Sequence, residues 1–256
     1  MQFALSIPKA TFGLPIAVAA LVAVNSVGFA GFDLYASGTG GYDFSYPQCS
    51  RTAPAASFGV VGINRGYPFN DYNNCLAAEF AAAAKTGNVA AYINTGYDAT
   101  YAKIDGRHVT PVCASSSQAV GGSLQQQAAW AVGCSEAERD IAHLSSQSVR
   151  PPSAWWLDVE TSNSWSSSDL SLNRYAIDGI IARLRQGTSA PVGIYSTSNQ
   201  WNAITGGFRA PVDADWIGTG QRTLTQAKPY CSAVGFTGAR VWLVQYVSTF
   251  DRDYAC

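Results

Sequence analysis

The chain has 256 residues, of which 47% are apolar and 13% charged, and 16 basic residues stand against 17 acidic ones for a net charge of −1. This much apolar material excludes a disordered chain and is enough to bury a sizeable core. The charge balance offers no basic surface for phosphates, which excludes nucleic acid as a partner.

The first thirty residues carry a single charge, Lys9, followed by the apolar run Leu14 to Val24 and small residues up to Ala30. That is the layout of a secretory leader, and eleven apolar residues are too few to span a bilayer about 30 Å thick. Residues 1–30 are therefore expected to be a removable signal and residues 31–256 an exported domain with no membrane attachment; an uncleaved anchor is the alternative. Six cysteines, Cys49, Cys75, Cys113, Cys134, Cys231 and Cys256, all follow the leader. An even count in an oxidising compartment implies three disulfides. The spacing leaves the pairing open, although the sequential scheme 49–75, 113–134, 231–256 closes loops of similar size. There is no C-x-x-C motif, and His108 and His143 are the two histidines, so neither a metal nor another cofactor is expected.

Short apolar runs bounded by Gly or Pro predict strands at Tyr42 to Ser45, Phe58 to Asn64, Val89 to Thr95, Ala154 to Glu160, Val192 to Ser196, Asp215 to Gly218 and Arg240 to Val247. Their apolarity is continuous rather than alternating, which points to strands covered on both faces, as in a parallel sheet. Helices are expected from Leu76 to Lys85, from a capping box at Ser135 to Glu138, and where Leu172, Ala176, Ile180 and Leu184 recur every four residues. Between the first two helices, residues 96–133, rich in Ser, Gln and Gly, read as an excursion pinned by Cys113 and Cys134. Strand-helix alternation without a linker favours one α/β domain, an irregular (β/α) TIM-like barrel ahead of an open doubly wound sheet. Helices are scarce toward the C-terminus, where the irregularity is expected.

The sharpest motif ends the fourth predicted strand, Trp155-Trp-Leu-Asp158-Val-Glu160. Side chains alternate along a strand, so Asp158 and Glu160 share one face about 6–7 Å apart. Barrel enzymes carry their catalytic residues at such strand ends, and two carboxyl groups, one protonated and one ionised, are the minimal equipment for cleaving a glycosidic bond. A turn-capping Asp158 and a Glu160 paired with arginine would explain the same motif. Asp43 lies on the first predicted strand and Asp253 after the last. Closure of a barrel would bring both to the rim of Asp158 and Glu160, where mutual repulsion raises at least one pKa. Tyr42, Trp165, Tyr195 and Trp201 are candidate platforms for sugar rings, and each equally suits core packing. No G-x-S-x-G elbow, Walker loop or H-E-x-x-H occurs.

Taken in order, Gly41-Tyr-Asp43-Phe-Ser45, Leu157-Asp158-Val-Glu160, Val192-Gly-Ile-Tyr195-Ser with Trp201, and Val241-Trp-Leu-Val-Gln245-Tyr246 followed by Asp253 resemble the family 25 glycoside hydrolases. The resemblance implies an irregular (β/α) barrel that cleaves β-1,4 bonds in peptidoglycan, a polysaccharide substrate, and no cofactor. It makes Glu160 the general acid, with Asp43, Asp158 and Asp253 as supporting carboxylates. The segment Tyr92-Ile-Asn94-Thr-Gly-Tyr97 stands where the family carries an aromatic-His element, which brings Asn94 forward as a substrate contact. A monomer is expected. A non-catalytic carbohydrate-binding module on the same barrel is the competing reading, and a hydrolase of another ester or amide bond the third, although no nucleophile with a matching histidine supports it.

Overall fold

A computed structural model describes residues 34–65, 69, 72–85, 87–105, 107–248 and 250–256; the expected leader, residues 1–30, lies outside them. The chain from Asp33 to Cys256 forms one unit.

Among the described residues, eight strands close a barrel in sequence order. They are β1 (Gly40–Phe44), β2 (Phe58–Gly62), β3 (Asn88–Asn94), β4 (Trp155–Asp158), β5 (Val192–Ser196), β6 (Ala214–Gly218), β7 (Arg240–Tyr246) and β8 (Asp251–Ala255). The first seven are those read from the apolar runs, and from β1 to β7 neighbouring strands pair in parallel. The eighth was not expected, and it runs antiparallel to both β7 and β1. Only residues 247–250 join β7 to β8, and a parallel crossover needs a dozen residues or more, so the chain can only turn back on itself.

Alternation sorts the strand residues into two layers. Val60, Ala90, Trp156, Ala214, Trp216 and Leu243 fill the barrel interior, whereas Val61, Ile93, Leu157 and Ile194 face outward against the helices. The interior aromatic rings fit because glycines stand opposite them on neighbouring strands. A Cβ on Gly193 would come within 2.3 Å of the Trp156 ring, and one on Gly218 within 2.6 Å of the Tyr195 hydroxyl. Tyr35 closes the end where the parallel strands begin: its ring lies 4.6 Å from that of Phe58 and its hydroxyl accepts from Trp156 Nε1 at 3.1 Å.

The outer layer is α1 (Leu76–Ala84), α2 (Pro111–Ser117), α3 (Leu124–Ser146), α4 (Leu170–Gly187), α5 (Ser198–Thr205) and the four-residue α6 (Leu224–Ala227). It thins toward the C-terminus as expected. The capping box placed at Ser135 is corrected: α3 starts twelve residues earlier, with Ser123 as N-cap and Gln126 closing the box. Ser135 is buried inside the helix, its hydroxyl donating to Ala131 O and accepting from Thr110 N. Much of the expected excursion at 96–133 is therefore helix. Disulfides join Cys49–Cys75, Cys113–Cys134 and Cys231–Cys256, the sequential scheme, each stabilising by about 3 kcal/mol through the loop it closes. Among the described residues no helix is long and apolar enough to cross a membrane.

Candidate functional site

The parallel strands all point their C-terminal ends to one mouth, and there the inward face turns from apolar to acidic. Asp43 on β1, Asp158 ending β4 and Glu160 two residues beyond it line a polar cavity of about 180 Å³ together with Tyr92, Tyr195 and Gln245. Asp251 lines it as well. Because β8 is antiparallel, its first residue stands at the mouth, and the register sets Asp251 opposite Asp43.

The carboxyl groups are held by amides. Gln245 Nε2 donates to Asp43 Oδ2 at 2.9 Å, and Tyr195 donates its hydroxyl proton to Gln245 Oε1 at 2.8 Å, which fixes the amide's orientation. Asn94 Nδ2 donates to Asp158 Oδ2 at 3.0 Å. Asn94 is itself clamped by Asn64, which accepts from its backbone N–H and donates to its carbonyl, both at 2.9 Å. Below the cavity floor Asp253, 1% exposed, sits opposite Gly41 on β1.

Burial raises every one of these aspartates, and their charges add to it. Burial pushes Asp43 up to about 7, against the hydrogen bond from Gln245 and with the charge of Asp251. Asp158 is held well above the carboxylate range by burial and then by Glu160 and Asp43, and Asp253 by burial and then by Asp43. Both oxygens of Asp253 are buried without a hydrogen-bond partner among the described residues, which is why burial dominates its shift. Asp43 thus changes charge around neutral pH beside Asp158 and Asp253, which burial keeps protonated.

The proposed aromatic platforms divide. Tyr195 lines the cavity. Trp165 stands beside it, its indole N–H donating to Glu160 O at 2.7 Å, and with Tyr97 and Asn163 it lines a second, open groove of about 590 Å³. Tyr42 and Trp201 do not belong to the mouth. Alternation turns Tyr42, 0% exposed, outward from Asp43 into the helix layer against Phe44 and Phe250. Trp201, 1% exposed, is packed against Phe208 and Phe236 with its N–H on Phe208 O. Asp253 is on the inward face as expected but one layer deep, and Asp251 takes the rim position. The sequence carried the signal in Asp251-x-Asp253, the same alternation as Asp158-x-Glu160, and it is legible once β8 is known to run backward. Among the described residues no three His, Cys, Asp or Glu side chains are grouped as a metal ion requires.

A family model described as Lysozyme-like protein 1 matches residues 125–216, the stretch from α3 through β6 that contains Asp158 and Glu160. The barrel resembles a family GH25 lysozyme from Aspergillus fumigatus, with a TM-score of 0.55 at 13% identity over 86% of this chain and 94% of that one. The fold is that of a family 25 muramidase. A bacterial lysozyme from Streptomyces coelicolor aligns with a TM-score of 0.52 at 18% identity, covering 86% of this chain and 93% of that chain. A muramidase from Trichobolus zukalii aligns with a TM-score of 0.52 at 11% identity, covering 85% and 93%. Comparison with curated proteins finds no match.

Proposed function

We propose that this protein is a secreted, lysozyme-like glycoside hydrolase that cleaves β-1,4 linkages in peptidoglycan or a related aminosugar polymer. The observation that carries the reading is the convergence of Asp43, Asp158, Glu160 and Asp251 on one polar cavity at the C-terminal mouth of a muramidase-type barrel. Glu160 is the general acid that protonates the glycosidic oxygen. Asp43, fixed by Gln245 and titrating at about 7, supplies negative charge as the oxocarbenium-like transition state develops, with Asp158 fixed beside it by Asn94. Asp253 serves this site from below, as a buried acid one layer beneath Asp43.

The cavity is smaller than the 300–1,000 Å³ or so of a ligand pocket, so it suits one ring of a polymer whose neighbours lie along the rim. The groove of Tyr97, Asn163 and Trp165 is where the next sugar stacks. Cavity access favours an enzyme over a binding module: no residue from Cys113 to Cys134 lines the mouth, so the disulfide-pinned segment does not plug it. Export agrees with the leader-like residues 1–30 and with three disulfides. Replacing Glu160 with Gln keeps the shape and removes the proton. Release of reducing ends from purified peptidoglycan is expected to fall at least about 100-fold with the thermal unfolding midpoint unchanged; undiminished release would refute the assignment.

A further inference from the structure

Glu160 is tethered by a residue that does not line the cavity. Gln200 stands on the first turn of α5, where its backbone N–H donates to Thr197 Oγ1 at 3.1 Å. Its side-chain Oε1 accepts from both donors of Thr161, the backbone N–H at 2.6 Å and the hydroxyl at 3.0 Å. A backbone N–H can only donate, so the amide has one orientation. Nε2 therefore faces Glu160, donating to its Oε1 at 3.3 Å.

We propose that Gln200 is a positioning residue that dedicates the two oxygens of Glu160 to different tasks. Oε1 is kept as a permanent acceptor by Gln200, so the proton resides on Oε2, to which no described residue donates. As the glycosidic bond breaks, its electron pair goes to the bridging oxygen, which takes the Oε2 proton and leaves as an alcohol. Water then gives its hydroxyl to the anomeric carbon, and its remaining proton restores the acid. Throughout, the Gln200 N–H stays on Oε1 and prevents the carboxyl group from turning its proton away from the substrate. Thr161 directly follows the acid in the chain, so the residue that orients the amide moves with the group the amide holds. The inference rests on the glycosidase reading of Glu160.

Two substitutions test it on peptidoglycan fragments, with Glu160→Gln as the reference. Gln200→Glu keeps the acceptor for Thr161 but turns an oxygen toward Glu160, and Gln200→Leu removes both contacts. Each is expected to lower kcat about 10-fold or more with KM within about twofold, and to move the alkaline limb of the kcat/KM profile to higher pH, by about one unit for Gln200→Glu. A residue with a merely structural role lowers kcat without moving that limb. Gln200→Leu keeps the test open if Gln200→Glu does not fold. A profile unmoved in either folded variant, with Glu160→Gln inactive, overturns the role of Gln200 alone. Turnover by Glu160→Gln, or none by the unaltered protein, overturns the glycosidase reading and this inference with it.

Discussion

Asp43 is the most heavily supported side chain of the mouth. Gln245 donates to it from β7, Tyr195 locks that amide from β5, and Asp253 lies beneath it on β8. A carboxyl group held near pH 7 by burial and by neighbouring acids changes charge around neutral pH, and Asp251 is the neighbour whose charge is removable without emptying the floor. Asp251→Asn keeps volume and takes away a like charge, so the titration of Asp43 is expected to move down from about 7, by roughly one unit. Carboxyl ¹³C chemical shifts against pH measure this directly, and a titration that stays or rises would show that Asp251 does not act on Asp43. Asp158 and Glu160 were legible because two charges ending an apolar strand need a use, and Asp43 because barrel closure joins first and last strands. Tyr42 and Trp201 were misplaced because an aromatic ring looks the same in sequence on either face of a strand or helix. Gln200 left no signal, since an amide on an exposed first turn is ordinary and only the fold brings it to Glu160.

Helices α3 and α4 meet backbone to backbone. A Cβ on Gly133 would stand 1.8 Å from Ala176 O, and one on Gly179 would stand 2.1 Å from Trp130 O. Neither obstacle is a side chain that could swing aside, so the helices would have to separate and Ala129, Val132 and Ala176 would lose their packing. Gly179→Ala is expected to cost about 3 kcal/mol, a fall of roughly 6–12 °C in melting temperature for a domain of this size; denaturant unfolding gives the same quantity, and a loss under about 1 kcal/mol would mean the crossing is loose. The four-residue period of Leu172, Ala176, Ile180 and Leu184 revealed α4 because its buried stripe is apolar. The beginning of α3 is hidden because its first turn is exposed, with Leu124 at 83%, and makes no apolar period, so the Ser-x-x-Glu spacing at Ser135 reads as the start. Strand β8 was missed for a related reason: Asp251-Arg-Asp-Tyr-Ala255 turns its acids inward, the reverse of the apolar-inside pattern by which strands are recognised.

Across the whole molecule, acids are buried and ion pairs are scarce, since the salt bridges formed among the described residues are His108 to Asp105, Arg183 to Glu138 and Arg185 to Asp213. Outside the mouth, Glu136 and Asp140 lie one turn apart in α3 at 2% exposure each, and burial, with the charge of Asp140 on Glu136, keeps both well above the carboxylate range. Burial also lifts Asp178 and Asp215 to about 6. For each of these groups the folded value exceeds the unfolded one near 4, so the folded state retains protons that the unfolded chain releases. Their contribution is complete below about pH 4 and is lost as pH rises through the folded values, at about 1.4 kcal/mol per pH unit for each extra proton retained. Two effects oppose it. His143, stacked on Tyr72 with ring centres 3.9 Å apart, is pushed down by burial and loses stability as pH falls below its unfolded value near 6.5. The lowered Asp98, Asp105 and Asp169 do so below about pH 4. One histidine against so many raised acids leaves the balance with the acids, and the melting temperature is expected to be highest near pH 4–5 and to decline steadily to pH 8. The isosteric pair Glu136→Gln and Asp140→Asn cannot ionise and is expected to flatten that decline while leaving the acid-side stability nearly unchanged. Calorimetric scans at pH 5, 6, 7 and 8 decide the matter, because a melting temperature that rises across this range would mean the buried carboxyl groups ionise inside the folded protein.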